Sequence, residues 1–155
     1  MWKETLEDLE STHALGVSLG SVADCSTRVA LYGDLGVGKT SLTQGVGVGL
    51  ALNVPVVSPT FILLAEYEGG RIPLLHGDAY RLKPGEHAAI GMDELVDSWP
   101  GLVVIEWADL VPEIWEGEYL RVCLSHFGAS RKVEISAEGA HHLEILERWR
   151  KAYCA

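Results

Sequence analysis

Basic residues are scarce in this chain. Twelve Lys and Arg stand against twenty-two Asp and Glu, a net charge of −10 over 155 residues. A phosphate backbone attracts cations and repels carboxylates, so the composition argues against a protein that holds DNA or RNA by itself. A nucleic-acid substrate would have to be carried by a partner. Cysteines number three, and Cys25, Cys123 and Cys154 form no Cys-x-x-Cys pair. That excludes a disulfide framework and a zinc knuckle and leaves reduced thiols. No apolar run approaches the roughly 20 residues of a membrane helix. The opening Met1-Trp2-Lys3-Glu4-Thr5 lacks the apolar stretch of a signal peptide, so a cytoplasmic location is expected.

What is present is an ordinary globular composition, 48% hydrophobic and 22% charged, enough for one domain spanning 1–155 but not for two. Thr5-Leu6-Glu7-Asp8 reads as a helix start with a hydroxyl cap, and Leu6, Leu9, Leu15 and Leu19 carry that helix to about Gly20. Thr27–Tyr32 reads as a strand ending at Gly33. A helix runs from Lys39 to about Leu52, with Leu42, Val46 and Leu50 on one face. Phe61–Tyr67 and Ile72–His76 read as a hairpin through Gly69-Gly70, with Pro73 at a strand start or on an edge. Residues 84–97 are expected to be helical with a break at Gly91. Leu102–Ile105 is apolar throughout, as in a strand buried on both faces of a parallel sheet. Tyr119–Leu124 and Lys132–Ile135 alternate, an antiparallel pair joined near Gly128, and a last helix covers about 140–153. These elements read as one mixed α/β domain.

The motif that carries chemistry is Gly33-Asp34-Leu35-Gly36-Val37-Gly38-Lys39-Thr40, followed by Ser41. It fits Gly-x-x-x-x-Gly-Lys-Ser/Thr between a strand and a helix. Glycines allow the backbone to curl so that successive N–H groups face phosphate oxygens, and the helix N-terminus adds its positive dipole end. Lys39 is placed to reach the β- and γ-phosphates, and the Thr40 hydroxyl to ligate Mg2+. Such a loop needs acids beyond the carboxyl ends of neighbouring strands. Glu106, directly after Leu102–Ile105, and Asp78, just beyond Ile72–His76, meet that requirement.

Ser58-Pro59-Thr60 lies where a switch segment would sense the γ-phosphate, though a plain turn also fits. His76 reads as structural or catalytic, Trp107 as base-stacking or core, Arg81 as a phosphate contact or a carboxylate partner. Neighbours on a helix diverge, so His141-His142 is expected at the surface. The single asparagine, Asn53, precedes Val54. The Asn-Lys-x-Asp of guanine readers is therefore absent, no Asp-x-x-Gly follows the loop, and the nucleotide expected is ATP. After Arg81 the next arginine is Arg121, which leaves no arginine-rich lid and disfavours a small-molecule kinase. An ATP-dependent scaffold without essential hydrolysis is the other alternative.

Four stretches in order, Gly33–Thr40, Ser58-Pro59-Thr60-Phe61, His76-Gly77-Asp78-Ala79-Tyr80-Arg81-Leu82 and Ile105-Glu106-Trp107, resemble the TsaE (YjeE/YdiB) family, the bacterial ATPase of tRNA threonylcarbamoyladenosine (t6A) biosynthesis. The likeness spans about residues 28–107 and implies the fold class: α/β, a P-loop NTPase-like three-layer domain whose mixed sheet is parallel at its centre, antiparallel at its additions and flanked by helices. It implies Glu106 as a Mg2+ ligand and Asp78 as a catalytic or Mg2+-linked acid. It also implies Thr60 in a switch segment, Trp107 beside the nucleotide and Arg81 supporting that region. The implied partners are TsaD- and TsaB-like proteins, with tRNA reached only through them. Val37 replaces the family's usual Ala, at a position that contributes mainly backbone, and Gly77 and Ala79 are small for their slots. Beyond Trp107 no motif is recognised.

Overall fold

A computed structural model describes residues 1–57, 64–115 and 117–155. Its framework is a seven-stranded sheet in the order β1-β7-β6-β2-β5-β4-β3. The strands are β1 (Trp2–Leu6), β2 (Arg28–Tyr32), β3 (Leu64–Tyr67), β4 (Leu74–Asp78), β5 (Leu102–Glu106), β6 (Tyr119–Phe127) and β7 (Ser130–Glu138). β6, β2, β5 and β4 run parallel through the middle, while β7, β1 and β3 add antiparallel at the edges. The helices are α1 (Leu9–Val22), α2 (Lys39–Gly49), α3 (Glu86–Ala89), α4 (Met92–Ser98) and α5 (Ala140–Cys154). The strand expected at Phe61–Tyr67 is described from Leu64. No described helix is long and apolar enough to cross a membrane.

β5 is buried at every residue because helices cover both faces of the sheet. Alternate residues sort onto opposite faces. Leu74, Leu102, Val104, Val29 and Leu31 share one core with α1, α2 and α5. Leu75, Val103 and Ile105 share a second with Met92 and Val96 of α4. Arg28 ties the second core's rim together. Its guanidinium donates to the carbonyls of Val96 (3.1 Å), Trp99 (2.8 Å) and Gly101 (2.9 Å), which fixes the turn from α4 into β5.

The N-terminus corrects the sequence reading. Trp2–Leu6 is a strand paired with β7, Trp2 opposite Ile135 and Leu6 opposite Arg131. α1 starts at Leu9 with Asp8, not Thr5, as its cap, the carboxylate accepting from the Ser11 N–H at 2.8 Å. Trp2 and Leu6, both buried, are four apart, a spacing that suits one face of a helix or of a strand equally well. The long partner β7 decides for the strand. Trp2 then packs edge-on against Trp149 of α5 at 5.5 Å, and the Trp149 indole donates to the Leu15 carbonyl of α1 at 3.0 Å.

A second correction concerns His142, which is buried. Its Nε2 accepts from the Arg28 backbone N–H at 3.0 Å, so it joins α5 to the start of β2. His141 stays partly exposed, 2.8 Å from an Asp24 carboxylate oxygen.

α1 and α2 touch backbone to backbone. A Cβ on Gly16 would overlap the Leu42 carbonyl oxygen, on Gly20 that of Val46, on Gly45 that of His13, and on Gly49 that of Val17. This seam fixes α2, and with it the glycine loop, against the N-terminal helix.

Candidate functional site

The site begins where β2 ends. The chain leaves the sheet at Gly33 and turns through residues 34–37 before entering α2. Gly38 caps α2 at φ +113°, a left-handed region that side chains avoid. No side chain caps this helix start, so its first N–H groups and dipole end face the cleft. The cleft holds about 250 Å³ and is lined by Leu9, Leu35, Gly36, Gly38, Lys39, Thr40, Ser41, Asp78, Glu106 and Trp107.

Both acids come from the carboxyl ends of adjacent parallel strands, where Asp78 and Glu106 are in register. Two residues back on β4, His76 shares their face. Its Nε2–H donates to Glu106 Oε2 at 2.5 Å, and both side chains are buried. His76 Nδ1 has no hydrogen-bond partner among the described residues, so Nε2 is the ring nitrogen that ties this side chain to Glu106. His76 is therefore the bolt that orients Glu106, a role its sequence position left open. Asp78 Oδ1 accepts from the Tyr80 N–H at 2.9 Å. Burial pushes the Asp78 carboxyl above its ordinary pKa and the Glu106 charge adds to that, while the Tyr80 amide, His76 and Lys39 oppose it.

Lys39 is 5% exposed. Its ammonium donates to the carbonyls of Gly33 and Asp34, the latter at 2.8 Å, and sits 4.3 Å from the centroid of the Trp107 ring. Burial lowers its pKa, with Glu106 and then Asp78 opposing. Trp107 stands at φ +57°, a strained backbone for a bulky residue, and stacks at 4.8 Å on Tyr80. The ring thus forms a wall of the cleft.

Of the residues singled out in the sequence, Leu35, Gly36, Gly38, Lys39, Thr40, Ser41, Asp78, Glu106 and Trp107 line this one cleft. Gly33 and Asp34 contribute carbonyls to Lys39. Val37 is fully buried and faces away from the cleft lining. Arg81 is exposed and does not line the cleft. The switch candidate Ser58-Pro59-Thr60 lies outside the described residues. Missed from sequence was Arg131 of β7, whose guanidinium donates to the Val37 carbonyl at 3.2 Å and the Gly36 carbonyl at 3.5 Å. It sits 94 residues from its partner in no motif, so no local signal pointed to it.

Thr40, Asp78 and Glu106 offer hard oxygen donors at one wall of the cleft. Mg2+ suits one or two carboxylates plus substrate phosphates rather than an all-protein cage. The donor set therefore fits Mg2+.

Fold and cleft together define an α/β protein with a Walker-type glycine loop opening a helix beside two strand-end carboxylates. The family model described as threonylcarbamoyl adenosine biosynthesis protein TsaE matches residues 6–133. The chain belongs to the TsaE family. It is 44% identical over 140 residues to the tRNA threonylcarbamoyladenosine biosynthesis protein TsaE of Nostoc sp., covering 88% of this chain and 86% of that one. To the protein of the same name from Bacillus subtilis it is 34% identical over 139 residues, covering 89% and 87%. The crystal structure of Bacillus subtilis YdiB superposes with a TM-score of 0.81 at 28% identity, covering 97% of this chain and 94% of that one.

Proposed function

We propose that this chain, read as one P-loop NTPase-like domain over 1–155, is the ATP-binding and ATP-hydrolysing component of the t6A machinery. It acts in the cytoplasm on a TsaD–TsaB assembly that itself carries the tRNA. The observation that carries the reading is the convergence of Lys39, Thr40, Asp78, Glu106 and Trp107 on one cleft at the start of α2. Membership of a family named for threonylcarbamoyl adenosine biosynthesis supplies the pathway. The acidic composition supports a component that leaves the tRNA to its partner.

The glycine loop and the first turn of α2 present N–H groups to the phosphates. Lys39 moves from its own loop carbonyls onto the β- and γ-phosphates, offsetting charge that builds as the γ-phosphoryl departs. Thr40, Asp78 and Glu106 would hold Mg2+, which would supply positive charge against the phosphates. Asp78 is the acid placed to orient water at the γ-phosphate, and Glu106 is kept in one rotamer by His76. Trp107 closes one side of the cleft. Loss of the γ-phosphate removes the contacts that favour the ATP conformer, a population shift the partner reads.

The test is calorimetric titration with ATP in Mg2+ and in EDTA, together with product analysis. The wild type is expected to bind at least about tenfold more tightly with Mg2+ and to release free orthophosphate. Glu106→Ala is expected to abolish the Mg2+ advantage. Equal affinity in EDTA, or phosphate found on an acceptor instead of free, would overturn the assignment.

A further inference from the structure

The glycine loop is held from outside as well as within. Gly33 lies so close to β6 that a Cβ there would stand 2.7 Å from the Leu124 carbonyl oxygen. From β7, Arg131 spreads its guanidinium over three backbone carbonyls. Nε donates to Val37 (3.2 Å), Nη2 to Gly36 (3.5 Å) and Nη1 to Ala129 in the hairpin turn (3.3 Å). No carboxylate pairs with it among the described ion pairs. The side chain is half-buried, and its strand position is fixed by pairing with Leu6 of β1 and His126 of β6.

A peptide plane has its C=O and N–H pointing opposite ways. Holding the Val37 carbonyl on the Arg131 side therefore turns the Gly38 N–H the other way, and Gly38 lines the cleft while Val37 does not. Left-handed Gly38 has many alternatives open to it, so an external anchor on the preceding carbonyl has something to restrict. A rigid fork of five donors holds adjacent carbonyls in a way that one ammonium cannot.

Resting on the proposed nucleotide role of the cleft, we infer that Arg131 is a positioning residue for di- and triphosphate binding. It fixes the peptide planes at Gly36–Val37 and Val37–Gly38 so that the loop amide meets the β-phosphate. The effect belongs to the phosphate and not to the base. ADP and ATP feel it, and AMP, which has no β-phosphate, does not.

The experiment compares ADP, ATP and AMP affinities, by calorimetry and NMR titration, for the wild type, Arg131→Ala and Arg131→Lys, alongside apo unfolding midpoints. Loss of a charge-assisted bond predicts about tenfold weaker ADP and ATP binding in Arg131→Ala. AMP binding is expected to be unchanged, and Arg131→Lys to recover only part of the loss. Unchanged ADP affinity, an equal loss for AMP, or full recovery by lysine overturns the inference. Should Arg131→Ala fail to fold, the Arg131→Lys comparison of ADP with AMP decides alone. A wild type that binds none of the three nucleotides sinks the nucleotide reading itself, and this inference with it.

Discussion

Phosphate release from ATP by the Lys39→Ala variant is expected to fall about 10²- to 10³-fold below the wild type, the range seen when one preorganised charge-stabilising donor is lost. Lys39 is the one cation among the described residues that line the cleft, and burial there makes its charge act in a medium of low effective dielectric. Its resting bonds to the Gly33 and Asp34 carbonyls keep it folded over the loop, so the ammonium reaches a phosphate by a short swing. Removing it also frees those two carbonyls. An apo unfolding midpoint measured beside the rate separates the two effects: a rate loss with a midpoint within a few degrees assigns the loss to the chemistry. A near-normal rate would remove Lys39 from the site.

The second large effect is on stability. Gly45→Ala is expected to cost about 1–3 kcal/mol and, at about 2–4 °C per kcal/mol for a chain of this size, to lower the melting temperature by about 2–12 °C. A methyl group there would overlap the His13 carbonyl oxygen of α1, a backbone atom that moves only if the whole helix moves. Alanine's better helix propensity, worth up to about 1 kcal/mol, offsets part of this and reverses none of it. Val48→Ala, on the exposed side of the same helix, should stay within about 0.5 kcal/mol. Because α2 begins at Lys39, ATP affinity is expected to weaken in Gly45→Ala as well. A melting temperature unchanged in that variant would show that the α1–α2 seam has room to spare.

Much of the site was legible because its chemistry is local in the chain. The glycine loop needs eight consecutive residues, and an acid at the end of an all-apolar strand announces Glu106. Asp78 follows from the same rule on the neighbouring strand. What was not legible depends on contacts between distant segments. Trp2 and Leu6 have a spacing that serves helix and strand alike, and only the nine-residue β7 makes the strand. Gly16, Gly20, Gly45 and Gly49 look like ordinary helix glycines until two helices meet. His142 was expected at the surface because adjacent helical residues diverge, yet divergence only guarantees that one of the pair can face inward. Arg131 and the orientation of Glu106 by His76 both require the sheet order, which pairs β4 with β5 and carries β7 past the loop.

The measurement closest to the central claim is phosphate release from ATP with Mg2+, alone and with a TsaD–TsaB pair, using Lys39→Ala as the blank. Slow release by the chain alone and a rise of at least about tenfold with the pair are expected, as when a partner completes an active site. Release at the blank's level under both conditions would contradict the account.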